Sequence, residues 1–190
     1  MKQIPVGVSN RHVHLTKAHA DILFWKDYQF TALKNLSQPW QYACQETVTL
    51  VWPKWKISKV RILWPERPQT QVEVSMGDTF VLGQPTSIRW SWDLVWSAPI
   101  IIQWPEWEVA LPEWLIIAKR HIHMSPADAI ALGVTQKQIV SVRVGNAERS
   151  LIFDNVIVRV SKESFLDMHI DVEEANAAGV KNGDIGELLA

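Results

Sequence analysis

The chain has 190 residues with 19 basic and 20 acidic side chains, for a formal net charge of −1. That balance holds no basic run, which argues against nucleic acid or an anionic membrane as partner, and no apolar stretch approaches the roughly eighteen residues of a spanning helix. Cys44 is the only cysteine, so an intramolecular disulfide and a thiolate metal cluster are excluded, and a small buried apolar role suits it better than that of a nucleophile. Met1-Lys2-Gln3-Ile4-Pro5 runs directly into strand-like residues, so the expectation is an unprocessed cytoplasmic protein, long enough to bury a real core.

Taken in chain order, the first strong signal is Asn10-Arg11-His12-Val13-His14-Leu15, an extended run followed by Thr16, a good N-cap for a helix over the next residues. A further helix is expected around Leu33. Runs rich in Val, Ile and Thr then predict strands at Thr47 to Val51, Val60 to Leu63, Gln71 to Val74, Ile100 to Gln103 and Leu115 to Ala118. Lys119-Arg120-His121-Ile122-His123-Met124 repeats the opening motif and is again followed by an N-cap, Ser125, with Pro126 at the first helical position. Strands follow at Ile139 to Val144, Leu151 to Phe153 and Val156 to Val160, separated by Gly145-Asn146 and Asp154-Asn155 as turns. A last helix spans Val172 to Ala178, with Asp171 as N-cap, Glu174 as its capping-box partner and Gly179 at its end. Closely spaced short strands with few short capping helices predict a mainly β protein built from small barrels.

Side chains alternate faces along a strand, so each His-x-His pair presents two imidazoles to one place, as a metal requires. One isolated pair is most simply the polar face of a strand. Two pairs in matching settings, each leading into a capped helix, point instead to two related halves whose ligands converge at a domain interface.

The second anomaly is tryptophan: 11 residues against 8 glycines, when glycine ordinarily makes up about 7% of a chain. Val51-Trp52-Pro53-Lys54-Trp55, Leu63-Trp64-Pro65-Glu66-Arg67 and Gln103-Trp104-Pro105-Glu106-Trp107 read as hairpin turns, where glycine would supply the positive-φ positions that an indole resists. Two explanations stand: an aromatic binding surface for sugars or bases, or UGA codons that the source organism reads as glycine and that are written here as tryptophan. Genuine UGG codons would mark the first.

Over nearly the whole chain the sequence resembles the PduL-type phosphate acyltransferases, also called phosphate propanoyltransferases. The stretches that carry the resemblance include Ile4 to Leu15, Leu36 to Pro39, Glu46 to Leu50, Arg67 to Ser75, Ser97 to Ile100, Arg120 to Met124, Phe153 to Val156 and Met168 to Asn176. The main departures are tryptophans where the family resembles glycine, at Trp52, Trp55 and Trp40. The resemblance implies two β-barrel domains, one discontinuous over 1–10 plus 119–190 and one over 11–118. It implies one zinc held by His12, His14 and Glu73 and a second by His121, His123 and His169, with Glu73 able to bridge. It further implies Arg67 as the phosphate-binding residue, and Ser9, Arg61, Leu63 and Asn176 as contacts to coenzyme A. The implied activity is reversible acyl transfer between coenzyme A and phosphate by direct attack, without an acyl-enzyme, on acetyl-CoA or propanoyl-CoA. Such an enzyme takes small-molecule substrates and leaves room for a homo-oligomer. Some members carry a targeting extension for bacterial microcompartments; a free enzyme of fermentation is the expectation here. A zinc-dependent hydrolase that activates water, and a non-catalytic Trp-rich binding module, are the rival readings.

Overall fold

The computed structural model describes residues 2–189. Its elements in chain order are β1 (Gln3–Ser9), β2 (His12–His14), α1 (Lys17–Phe24), β3 (Ala32–Asn35), β4 (Tyr42–Trp52), β5 (Trp55–Trp64), β6 (Gln71–Glu73), α2 (Met76–Leu82), β7 (Ile88–Arg89), β8 (Ala98–Trp104) and β9 (Trp107–Ala118). They continue with β10 (His121–Met124), α3 (Pro126–Leu132), β11 (Ile139–Gly145), β12 (Ser150–Val160), β13 (Asp167–Asp171), α4 (Val172–Ala178) and β14 (Ile185–Leu189). None of these helices is long and apolar enough to cross a membrane.

The chain divides into two compact units. One comprises Arg11–Leu36 and Trp40–Ala118; the other joins the segment ending at Asn10 to Ser37–Pro39 and everything from Lys119. In the second unit six strands close a barrel in the order β1-β13-β10-β12-β11-β14. In the first, β4-β5-β2-β6-β9-β8 also closes, because β8 pairs both β9 and β4, with β3 and β7 appended. Each pairing has a counterpart of the same sense in the other barrel. The histidine strand β2 runs parallel to β5 and antiparallel to β6, as β10 does to β12 and β13. β6 runs parallel to β9 as β13 does to β1. The strand equivalent to β9 is therefore β1, at the other end of the chain.

Alternation explains the cores. Val13 and Ile122, the residues between the paired histidines, are fully buried, each within its own unit's hydrophobic cluster. Burying such a side chain stabilises by about 1.5 to 3 kcal/mol, so the register of these strands is strongly specified. The helices are short and capped as their sequences predict. Thr16, Ser125 and Asp171 accept from backbone N–H groups at the N-termini of α1, α3 and α4, and the α4 limits coincide with Val172 to Ala178.

Three expectations need correction. The segment around Leu33 is strand β3, exposed at each of its residues and paired to β4, so cross-strand pairing outweighs its local helical preference. Asp154-Asn155 is not a turn but lies within the single strand β12, opposite a register shift in β11, with Asn155 at φ 59. Asparagine tolerates that conformation, which makes a bulge look like a turn in sequence. Of the three expected hairpins, Leu63 to Arg67 is not one, because β5 pairs with β4 and β2 and not with β6; in the other two the central residues are Pro53-Lys54 and Pro105-Glu106, and the tryptophans flank them as paired strand residues, Trp52 with Trp55 and Trp104 with Trp107. None of these four has a positive φ.

The strain lies at other tryptophans. Five of them, Trp25, Trp40, Trp92, Trp96 and Trp114, have φ between 63 and 96. Helices α2, α3 and α4 end on glycines in the left-handed region, whereas α1 ends on Trp25 at φ 81, ψ 160, a region that is essentially glycine-only. Trp114 also buries its indole N–H without an acceptor. This geometry supports the reading of these positions as glycines, for which a positive φ carries no Cβ clash. Trp40 and Trp96 are 89% and 88% exposed, so little burial is lost on truncation. Trp40→Gly and Trp96→Gly are each expected to raise stability by about 1 kcal/mol, the relief of backbone strain less the added freedom of the unfolded chain. Urea denaturation checks this; a loss of stability in both would remove the strain argument.

Candidate metal centres and anion site

Each unit assembles one cluster of ligand-type side chains. In the first, the register sets His12 opposite Glu73 on β6 and beside Arg61 on β5, and sets His14 opposite Gln71 and beside Leu63. Directly paired residues share a face, so His12, His14 and Glu73 converge, and their ligand atoms all lie within 4.8 Å of one another. His12 Nε2 is 3.5 Å from Glu73 Oε2. Both histidines are 93% shielded from solvent. Burial, then the neighbouring His12 and Arg67, push the His14 pKa well below its ordinary value, so His14 is neutral at physiological pH, the form that ligates. Its Nδ1 is buried without a hydrogen-bond partner.

In the second unit His121 on β10 stands opposite His169 on β13, and His123 opposite Asp167. The three rings are 4.8 to 5.1 Å apart between centroids, with ligand atoms again within 4.8 Å. The Lys119 carbonyl lies 2.9 Å from His121 Nδ1 and can accept only from a protonated nitrogen, which leaves the lone pair on Nε2, 3.1 Å from His123 Nε2. Burial first, then His169, Arg159 and His123, depress the His121 pKa strongly.

Three imidazoles in one cluster, and two imidazoles with a carboxylate in the other, are donor sets that zinc takes with one position left open. The orphaned His14 Nδ1 and the facing Nε2 atoms of His121 and His123 fit such an ion. The second half of each cluster also repeats: Gln71 Nε2 donates to Glu73 Oε1 at 2.5 Å, and Asp167 Oδ2 pairs with His169 Nε2 at 3.0 Å. These partners, two residues before Glu73 and His169, hold those side chains in place, as groups behind a metal ligand do. Ser37 Oγ lies 3.4 Å from His169 Nε2. Sequence reading missed Gln71 and Asp167; comparing the two halves beyond the histidine pairs was the signal that could have found them.

Arg67 enters the first cluster from the β5–β6 loop, anchored by its backbone N–H to the Leu15 carbonyl at 2.9 Å. Its Nε is buried and without a partner, and burial lowers its pKa. Trp92 shares this site. Its ring is 5.5 Å from His14 and 5.6 Å from the Arg67 guanidinium, and its backbone N–H donates to Gln71 Oε1 at 2.6 Å. Ser91 Oγ donates to Glu73 Oε1 at 3.3 Å. Neither residue stood out in sequence, because the 90–93 loop meets these groups only through the fold.

The remaining candidates lie on adjoining elements. Arg61 and Leu63 flank the first histidine pair, and Arg61 Nη1 donates to the carbonyls of Cys44 and Gln45. Ser9 pairs with Asp171 at the end of β1, and Asn176 lies on α4, its carbonyl accepting from Arg149. Cys44 is fully buried, and burial pushes its thiol pKa to about 12.

The sequence profile of the phosphate propanoyltransferases matches residues 5–181. The chain is 48% identical over 182 residues to the phosphate propanoyltransferase of Thermotoga maritima, covering 96% of this chain and 87% of that protein. The proteins of the same name from Lachnoclostridium phytofermentans and Shewanella putrefaciens are 48% and 45% identical, over 98% and 96% of this chain and 87% and 86% of theirs.

Gly7 of β1 pairs with His169, and a Cβ there would lie 2.8 Å from Asp167 Oδ2 and 3.0 Å from His169 Cδ2. Gly7→Ala is therefore expected to displace the Asp167–His169 pair and weaken divalent-metal binding by about tenfold, measured by competition with a chromophoric chelator. Unchanged affinity would show that the pair tolerates the added methyl.

Proposed function

The chain belongs to the phosphate propanoyltransferase family, and on that premise we propose that it interconverts a short-chain acyl-CoA plus phosphate with an acyl phosphate plus free coenzyme A, in a cytoplasmic setting. One observation carries the reading furthest: a half-buried guanidinium whose Nε is buried and unpaired, Arg67, stands beside the His12–His14–Glu73 cluster. A planar guanidinium can hold two oxygens of one phosphate, a match that a lysine ammonium lacks.

In this proposal Arg67 binds and orients phosphate so that one oxygen faces the thioester carbonyl carbon. His12, His14 and Glu73 would hold one zinc and His121, His123 and His169 another; when bound, zinc supplies Lewis-acid stabilisation of negative charge on oxygen. The phosphate oxygen bonds to the carbonyl carbon, the carbon–sulfur bond breaks, and the thiolate of coenzyme A leaves. Because a thiolate is a good leaving group, little general-acid help is required. Transfer is direct in this reading: the single thiol, Cys44, is buried and protonated and so is no nucleophile. Ser9, Arg61, Leu63 and Asn176 are proposed contacts for coenzyme A. Acetyl and propanoyl groups differ by one methylene, which a pocket separates weakly, so both are candidate substrates.

Purified protein should release thiol from acetyl-CoA or propanoyl-CoA only when phosphate is supplied; release without phosphate would indicate a hydrolase instead. About two zinc equivalents per chain are expected, and the His121→Ala plus His123→Ala variant should lose at least one of them together with activity, as read by elemental analysis and thiol release. Retained zinc and activity would rule out that cluster. Arg67→Lys should raise the phosphate requirement or lower turnover with zinc content and folding unchanged. Unaltered phosphate kinetics would remove Arg67 from the site.

A further inference from the structure

Both copies of the repeated motif place an arginine immediately before the first histidine, and neither arginine belongs to a metal cluster. Arg11 makes two bonds to one carboxylate, Nε to Asp78 Oδ2 at 2.9 Å and Nη2 to Asp78 Oδ1 at 2.7 Å. Asp78 is 97% shielded and is also the capping-box residue of α2, its Oδ2 accepting from Ser75 N at 3.1 Å. Ser75, the N-cap, lies two residues after Glu73. In the second unit Arg120 Nε donates to Glu174 Oε1, Arg120 Nη1 donates to the Asp154 carbonyl at 2.8 Å, and the guanidinium lies 4.9 Å from the Phe153 ring centre. Glu174 is the capping-box residue of α4, with Oε2 accepting from Asp171 N at 3.0 Å. Asp171, the N-cap, lies two residues after His169.

The two arrangements share one spacing. The third ligand is followed after two residues by a helix N-cap and after five by an acid, and that acid binds the arginine adjoining the first histidine. We propose that Arg11 and Arg120 are positioning residues, each locking the strand that carries a histidine pair to the segment that leaves the third ligand. The antiparallel ladders that join these strands are short: β2 and β6 have three residues each, and β10 has four. A charge-assisted pair just outside such a ladder restrains the ligands' spacing, and metal ligands need that spacing held closely. These pairs join Arg11 to Asp78 and Arg120 to Glu174, so the clamp acts on the metal through the backbone.

This inference rests on the metal reading above, and the experiment separates the two. Zinc affinity of each equivalent is measured by chelator competition on the full chain, with cobalt(II) substituted as a probe of ligand geometry. Wild-type protein that binds neither ion would overturn the metal reading itself. Arg120→Lys and Glu174→Gln should weaken one equivalent by about 10- to 100-fold and change its cobalt absorption. Arg11→Lys should do the same to the other equivalent. Glutamine still serves the capping box, so Glu174→Gln keeps the helix start while removing the charged acceptor. Arg143→Ala, which breaks an exposed ion pair with Glu187, is the control and should leave both equivalents unchanged. Native affinity and native cobalt spectra in folded Arg120→Lys, Glu174→Gln and Arg11→Lys would overturn the positioning role, as would an equal loss in the control.

Discussion

The register between a three- or four-residue histidine strand and its antiparallel neighbour is the constraint on which the rest depends. Because side chains alternate with a period of two, pairing His12 with Glu73 and His121 with His169 sends Val13 and Ile122 into the cores and gathers the candidate ligands on the other face. A slip of one residue would turn four imidazoles into the apolar cores and two core side chains out of them. The same pairing aligns His14 with Gln71 and His123 with Asp167, whose side chains bond Glu73 and His169. Core packing and site geometry are therefore specified by one choice, and neither can change alone.

What the sequence made legible was encoded within a few residues. The histidine pairs, the N-caps at Thr16, Ser125 and Asp171, and the Val172 to Ala178 helix each have signatures shorter than eight residues. What it concealed was non-local. Helix α2 went unread although it has a full capping box, because its seven residues are short and include a glycine. Strand β3 is defined by its partner and not by its own residues. Asp167, Gln71 and Gly7 matter only because of what stands across the ladder from them, and Glu73 and His169 were reached through family resemblance and not from spacing.

The tryptophans show how backbone geometry sharpens a compositional oddity. Sequence placed the strain at proline-containing hairpins, yet those turns close through residues that accept ordinary φ values. Beyond Trp40, which stands where the family resembles glycine, the conflict sits where no local motif announces it, at the end of α1, in the loops around Trp92 and Trp96, and inside β9 at Trp114. Trp92 adds a chemical dimension, since its indole lies against both His14 and Arg67.

The assignment of β1 to the barrel otherwise built from residues beyond Lys119 bears on ancestry. One barrel is drawn wholly from residues between Arg11 and Ala118, while the other borrows its last strand from the opposite end of the chain. That borrowed strand lies antiparallel to β14, and the Leu188 N–H donates to the Lys2 carbonyl at 2.9 Å, so β1 and β14 lie side by side. Joining them by a tight turn and opening the chain between Asn10 and Arg11 would yield two complete repeats in tandem. The present order of strands is thus a circular permutation of two tandem repeats, with β1 completing the repeat that begins at β10.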